Sequence, residues 1–244
     1  MSLALQNITE DFTKSSYLSR VYTAEDDTGK KYILKRGRSP ATPEQYQFMH
    51  WLKEHPHPCL MIPLEINGEA GSLLEEIYSH VSRPRLDRAL CTPAGKEWKF
   101  AQIWEDIKEL TFALEHIHSQ GYLHQDVRPP NIFVNPITLE TMLFDYNSVS
   151  RPYFLAKGSD SWNDIPPECR TGNTPIDYRF DIYQVGRIFK AMTHRYDHDS
   201  REDVLAVRDT PLRALDVMNK ASALDREERY KNALEMHEAL QQLR

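Results

Sequence analysis

Two adjacent prolines, Pro129 and Pro130, constrain this chain more than any other pair of residues. Inside a helix they would remove hydrogen bonds and clash with the preceding turn, and a central strand cannot use them as donors. They stand in "YLHQDVRPPNIFVN", Tyr122 to Asn135, after a long helical pattern and before a short apolar run. In "FAQIWEDIKELTFALEHIHSQG", Ile103, Ile107, Leu110, Leu114 and Ile117 follow steps of four, three, four and three. That is the buried stripe of one long helix, and Gly121 ends it. "NIFVN" reads as a strand, and "TMLFDY", beyond a turn around Pro136, reads as its partner. His124, Asp126 and Arg128 therefore lie on a stiff loop between rigid elements, where chemistry tends to concentrate.

The residues before this helix read mainly as strands. "SRVYTAED" and "KYILKRG" form a hairpin around Asp27 to Gly29. "TPEQYQFMHWLKEH" is helical, with Thr42 as cap, Pro43 at the first position and Glu44 in the first turn, and "HPHP" stops it. "CLMIPLEI" and "SLLEEIYS" read as two further strands joined by "NGEAG". Beyond the loop, "RFDIYQVGRIFKAM" and residues 211–244 read as helical. The pattern is a small strand-rich part followed by a larger helical part.

Bulk properties narrow the function classes. At 244 residues the chain fits one large domain or two small lobes. A net charge of −6 gives no electrostatic footprint for nucleic acid or an anionic membrane. No apolar run approaches the roughly 20 residues that span a bilayer. "MSLALQNITEDF" lacks a basic region followed by a long apolar one, so no signal peptide is expected. Cys59, Cys91 and Cys169 are odd in number and widely spaced, which points to a reducing, cytoplasmic setting. "HPHPC" is a poor metal site because no second cysteine pair follows it. "YDHDSRED" lacks the glycine and final glutamate of a calcium loop and reads as a solvated loop.

In order along the chain, the motifs resemble the eukaryotic-type protein kinase family. "HQDVRPPN" is similar to its catalytic loop H-R-D-L-K-P-x-N, and "LFDYN" to the segment with the metal-binding D-F-G. "YILK" resembles V-A-I-K, "PPE" at Pro166 to Glu168 resembles A-P-E, and "DIYQVG", Asp181 to Gly186, resembles D-x-W-S-x-G. Arg229 stands where the family has the arginine that pairs with the A-P-E glutamate. The resemblance implies an α+β, two-lobed protein-kinase-like fold. Its N-lobe, residues 1–78, would be a small antiparallel β-sheet with one helix, and its C-lobe, residues 79–244, would be larger and mainly helical.

The resemblance also assigns roles. Asp126 would be the catalytic base position, Arg128 would grip a phosphoryl oxygen where serine/threonine kinases usually have lysine, and Lys35 would pair with phosphates. Asn131 and Asp145 would share magnesium as hard oxygen ligands. Lys14 and Ser16 before the hairpin and Ser19 and Val21 on its first strand, with Lys35, Glu44, Glu76 and Tyr78, would contact ATP or position the residues that do. His124, Asp181, Glu168 and Arg229 would be structural. The implied activity is ATP- and Mg2+-dependent phosphoryl transfer to Ser/Thr hydroxyls of a protein substrate. The alternatives are a pseudokinase acting as a binding module and a small-molecule kinase.

Several positions depart from the family pattern. Lys14, Ser16 and Ser19 replace the glycines that let backbone amides approach phosphates. Asn147 takes the third D-F-G position, where tolerance of the left-handed region would preserve the turn. Glu44, beside Gln45, is the expected acidic partner of Lys35. Gln125 replaces the arginine that often receives a phosphate, so activity is not expected to require phosphorylation at Ser161.

Overall fold

The computed structural model describes residues 3–11, 19–92, 98–135, 140–153, 165–170, 172, 174–197, 202–205 and 210–242. The chain divides into two compact units, Met1–Ser82 with Tyr146–Val149, and Arg83–Asp145 with Ser150–Arg244. A division after residue 78 would cut the last strand of the first unit, because that strand runs Glu75–Ser79.

In the first unit five antiparallel strands lie in the order β1-β2-β3-β5-β4. They are β1 Gln6–Glu10, β2 Ser19–Glu25, β3 Lys31–Gly37, β4 Glu65–Asn67 and β5 Glu75–Ser79. The β2–β3 turn is organised by Asp26. Its carboxylate accepts the Thr28 hydroxyl at 2.6 Å, the Tyr32 hydroxyl at 2.8 Å and the Thr28 and Lys30 amides at 2.9 and 3.0 Å. These donors, the Thr28 hydroxyl foremost, hold the Asp26 carboxyl down at about 2. Tyr32, Leu34 and Ile77 form one apolar cluster, with Leu3, Leu5 and Tyr22 packed on it.

Helix α1, Pro43–Glu54, starts with a capping box. The Thr42 hydroxyl accepts the Gln45 amide at 3.1 Å, and the Gln45 side-chain oxygen accepts the Thr42 amide at 2.9 Å. Phe48, Met49 and Leu52 are its buried face. Of the expected strand "CLMIPLEI" only Glu65 and Ile66 lie in a strand, β4. Its apolar residues are buried without pairing as a strand, since Cys59, Leu60 and Met61 are all in the core.

The second unit begins with the short helix α2, Leu86–Leu90, followed by α3, Phe100–Ser119. The stripe Ile103, Ile107, Leu110, Leu114 and Ile117 is buried as its periodicity predicts. Gly121 has φ +75° and its amide bonds the His118 carbonyl at 2.9 Å, which closes α3 in a conformation that favours glycine. Strands β6, Ile132–Val134, and β7, Thr141–Leu143, pair antiparallel. Helix α4, Arg179–Thr193, packs on α3 and on α5, Leu212–Ala221. Gly186 permits that approach: a Cβ there would lie 2.6 Å from the Ser222 nitrogen.

Two expectations change in this unit. Residues 211–244 hold two helices, α5 and α6, the latter spanning Ala233–Gln241. The break has local causes: the Asp225 side chain accepts the Glu227 amide at 2.9 Å and the Asn232 side chain accepts the Glu235 amide at 3.0 Å, so each starts a new helical turn. The region read as a solvated loop carries a hairpin, with β8 His194–Asp197 paired to β9 Glu202–Leu205. The pattern of a small antiparallel-sheet unit with one helix and a larger, mainly helical unit is otherwise as expected. Among the described residues no helix is long and apolar enough to cross a membrane.

Asp106 is the one acidic residue on the buried face of α3. Its carboxylate accepts the Thr141 hydroxyl at 2.9 Å. Burial pushes its carboxyl up to about 7, the Thr141 bond pulls against this, and Glu109 and Glu105 add repulsion. The folded state thus holds this proton more tightly than the unfolded chain. Stability linked to Asp106 is complete at pH values below the unfolded value of 3.8 and is lost as pH rises through about 7. Asp106→Asn keeps an acceptor for Thr141 and carries no charge. It is expected to raise the unfolding free energy above pH 7, by about 4 kcal/mol at most, seen as a higher urea midpoint, and to lose that advantage near pH 4. A midpoint difference independent of pH would refute this linkage.

Candidate active site

The proline-containing loop is suspended from one buried carboxylate. Asp181, in the first turn of α4, is fully buried and accepts three donors. These are the amides of His124 at 2.8 Å and Gln125 at 2.7 Å, and His118 Nε2 at 2.9 Å. His118 Nδ1 accepts the Ala233 amide at 3.2 Å, which leaves its proton on Nε2 to donate to Asp181. Gln184, one turn further along α4, accepts the Val127 amide at 2.9 Å and donates to the Gln125 carbonyl at 3.2 Å. Gln125 itself has φ +64°, and its side-chain amide donates to the Ser150 hydroxyl. Sequence reasoning marked Asp181 as structural but did not identify Gln184, His118 or Ser150. Their partners lie far along the chain, and only the fold brings them together.

This scaffold presents Asp126 and Asn131 to each other. The Asn131 side-chain amide donates to the Asp126 carboxylate at 2.6 Å and to its carbonyl at 2.9 Å. Pro129–Asn131 form a single 3-10 turn, begun by Arg128 in extended conformation, so the prolines fix the span between the two side chains. His124 is fully buried. Its Nδ1 accepts the Asp126 amide at 3.3 Å, so Nε2 carries the proton toward the Phe144 carbonyl at 3.2 Å. The Phe144 amide donates to the Asn131 carbonyl at 3.0 Å. Phe144, the residue before Asp145, is thus tied to the loop at two points. Asp145 has φ +68°, so the left-handed residue of this segment is Asp145 and not Asn147, which lies in the 3-10 turn Tyr146–Ser148.

The first unit holds a second polar group of its own. Lys35 on β3 and Glu76 on β5 are directly opposite in the ladder, and Lys35 Nζ lies 3.5 Å from Glu76 Oε2. The Tyr78 hydroxyl donates to the same oxygen at 2.6 Å. Lys35 also donates to Asn147 Oδ1 at 3.0 Å, and the Gln45 side-chain amide donates to the Asn147 carbonyl. Tyr146 is anchored by its hydroxyl on the Met61 carbonyl at 3.0 Å and by its ring against Phe48.

The expected pairing of Lys35 with Glu44 is corrected. Among the described residues Glu44 makes no ion pair; it sits in the first turn of α1, whose inward polar group is the neutral Gln45. Val21 and Ser19 lie on β2, opposite Lys35 and Gly37. Lys14, Ser16 and Ser161 lie outside the described residues.

Glu168 and Arg229 form a bidentate pair, Nη1 to Oε1 at 2.7 Å and Nη2 to Oε2 at 2.8 Å. Arg229 Nε also donates to the Ala223 carbonyl at 2.7 Å, and its guanidinium lies over the Tyr183 ring. The neighbouring Cys169 thiol is pushed up to about 12, first by burial and then by Glu168, which makes it an unreactive packing group.

No protein-family model matches the chain. Its sequence is similar to cyclin-dependent kinase C-2 C of Arabidopsis thaliana, 26% identical over 192 residues, and to serine/threonine-protein kinase US3 of human herpesvirus 1, 26% identical over 189 residues. These matches cover 74% and 70% of this chain. Casein kinase II subunit alpha' of Saccharomyces cerevisiae is 27% identical over 104 residues, 40% of this chain. The matched stretches are 29%, 36% and 30% of the three relatives' own lengths, in the order given, so the chain spans about a third of each. The solved structure of the Cydia pomonella granulovirus kinase PK-1 superposes with a TM-score of 0.75 at 17% identity, covering 97% of this chain and 94% of that one. The fold is protein-kinase-like.

Proposed function

We propose that the chain is an ATP-dependent protein kinase that transfers the γ-phosphoryl group to a serine or threonine hydroxyl. The observation that carries this reading is the Asp126–Asn131 pair, 2.6 Å apart on a loop whose backbone is held by the Asp181 carboxylate. Phosphoryl transfer needs placement and charge neutralisation more than covalent chemistry, and this loop is built for placement. Asp126 would accept the proton of the attacking hydroxyl and aim its oxygen. The bond from Asn131 keeps that carboxylate in one orientation. Arg128 would neutralise a phosphoryl oxygen, and Lys35 would hold the phosphates.

The donor set fits magnesium. The Asn131 amide nitrogen is committed to Asp126, which turns its oxygen into the remaining ligand atom. Asp145 contributes a carboxylate on a left-handed backbone, and both are hard oxygen donors. Magnesium bound there would neutralise charge on the phosphates of ATP. The relatives' names and the fold support the kinase class; Ser/Thr choice and the protein substrate are part of the proposal.

The serines in place of glycines before Val21 favour a second reading, a binding module that has kept the fold. One experiment separates the two. A nucleotide present at a hundred times its dissociation constant stabilises by about 2.7 kcal/mol, which for a chain of this size is roughly 5–10 °C in Tm. We expect such a shift with Mg-ATP, most of it lost in Asp145→Asn, together with labelled phosphate on a generic protein acceptor. A shift without transfer would favour the binding module, and neither shift nor transfer would overturn the kinase reading.

A further inference from the structure

We infer that Glu76 on β5 is a charge partner that holds Lys35 in position, a task that the acid at the start of α1, Glu44, does not perform. The inference rests on the kinase reading and gives one of its site residues a different job: Glu76 acts through Lys35 and is a positioning residue.

The β3–β5 register supplies the first argument. Lys35 and Glu76 are Cα partners, so their side chains emerge on the same face, with Ile33 and Tyr78 as the next pair along it. Lys35 is 8% exposed and Glu76 7%. A buried ammonium needs an opposite charge, and the carboxylate 3.5 Å away provides it. The carboxylate is itself restrained, because the Tyr78 hydroxyl donates to its Oε2 at 2.6 Å. Cross-strand pairing and the tyrosine bond together fix where the negative charge sits.

Helix α1 supplies the second argument. The residue that it turns toward Asn147 is Gln45, and both ends of that amide are committed, its oxygen to the Thr42 amide at 2.9 Å and its nitrogen to the Asn147 carbonyl. Gln45 therefore reaches Lys35 only through Asn147, whose Oδ1 accepts from Lys35 at 3.0 Å. It contributes orientation and no charge. Glu44 takes no part among the described contacts.

The test uses the full chain with Glu76→Gln, Glu44→Gln, Lys35→Met and the Lys35→Met/Glu76→Gln double variant. Urea midpoints come first. Glu76→Gln should lower the midpoint in the wild-type background and much less where Lys35 is already methionine. If Glu76→Gln does not fold alone, recovery of folding in the double variant gives the same support. Additive effects, or a double variant no better folded than Glu76→Gln, would overturn the pair.

Transfer of labelled phosphate from Mg-ATP comes second. Glu76→Gln should lower kcat/KM tenfold or more per folded molecule, with a rise in KM for ATP, whereas Glu44→Gln should cost less than twofold. Equal losses from the two, or a loss explained by the folded fraction alone, would overturn the positioning role. A wild-type chain with neither transfer nor a thermal response to Mg-ATP would defeat the kinase reading instead, and the urea cycle would then decide the pair by itself.

Discussion

Asp126→Ala is expected to reduce phosphoryl transfer by about 10²–10⁴-fold, the range that a positioned general base contributes. The fold should survive. Asp126 is half-buried, and the substitution removes one of the two bonds that Asn131 makes to it, leaving the bond to the backbone carbonyl at 2.9 Å. The loss of a single such hydrogen bond costs about 1 kcal/mol. The loop itself remains suspended from Asp181 and Gln184, neither of which depends on the Asp126 side chain. Purified variant and wild type, compared for transfer from labelled ATP and for urea midpoint, should differ greatly in the first and little in the second. A variant that transfers phosphate at the wild-type rate would remove Asp126 from the chemistry.

Arg229→Ala should produce the largest loss of stability. The Arg229 side chain is completely buried, and its donors serve Glu168 twice and the Ala223 and Leu224 carbonyls once each. Breaking a buried pair by removing one partner costs about 3–5 kcal/mol. Glu168 retains 19% side-chain exposure, so water can partly compensate it, but the two carbonyls lose their donor and the ring of Tyr183 loses its cover. Arg229→Lys should recover little, because an ammonium cannot reproduce the two-pronged geometry. The check is the urea midpoint of both variants, with activity following the folded fraction. An unchanged midpoint in Arg229→Ala would show that the pair contributes nothing net.

What the sequence made legible was what local pattern encodes. The stripe of α3, the Thr42 cap and the β2–β3 turn depend on neighbours within a few residues, and they formed as read. Asp126, Asn131 and Asp145 were singled out through the resemblance of "HQDVRPPN" and "LFDYN" to kinase motifs, which are short local patterns as well. The resemblance groups Glu76 with the nucleotide positions, but its bond to Lys35 is not legible in the sequence. In "SLLEEIYS" either glutamate could face inward, and only the register between β3 and β5 decides that Glu76 does, opposite Lys35, while Glu75 pairs with Arg36. The choice of Glu44 followed charge alone, whereas the capping box turned its neutral neighbour Gln45 toward Asn147. The β8–β9 hairpin and the split between α5 and α6 were missed for a related reason. No glycine or proline lies within residues 194–205 or 222–232, and the polar caps that start the new turns look like ordinary surface residues.

The left-handed backbone at Asp145 bears on how such a chain can change over generations. Few residues accept φ +68° without strain; asparagine and glycine do, and aspartate can. One nucleotide change converts an aspartate codon to an asparagine codon. At this position the exchange would remove the carboxylate proposed for magnesium while keeping a residue type that accepts this backbone conformation. If the proposed kinase activity holds, the route from catalyst to inert binder is therefore short in genetic distance and asks for no change of backbone at residue 145.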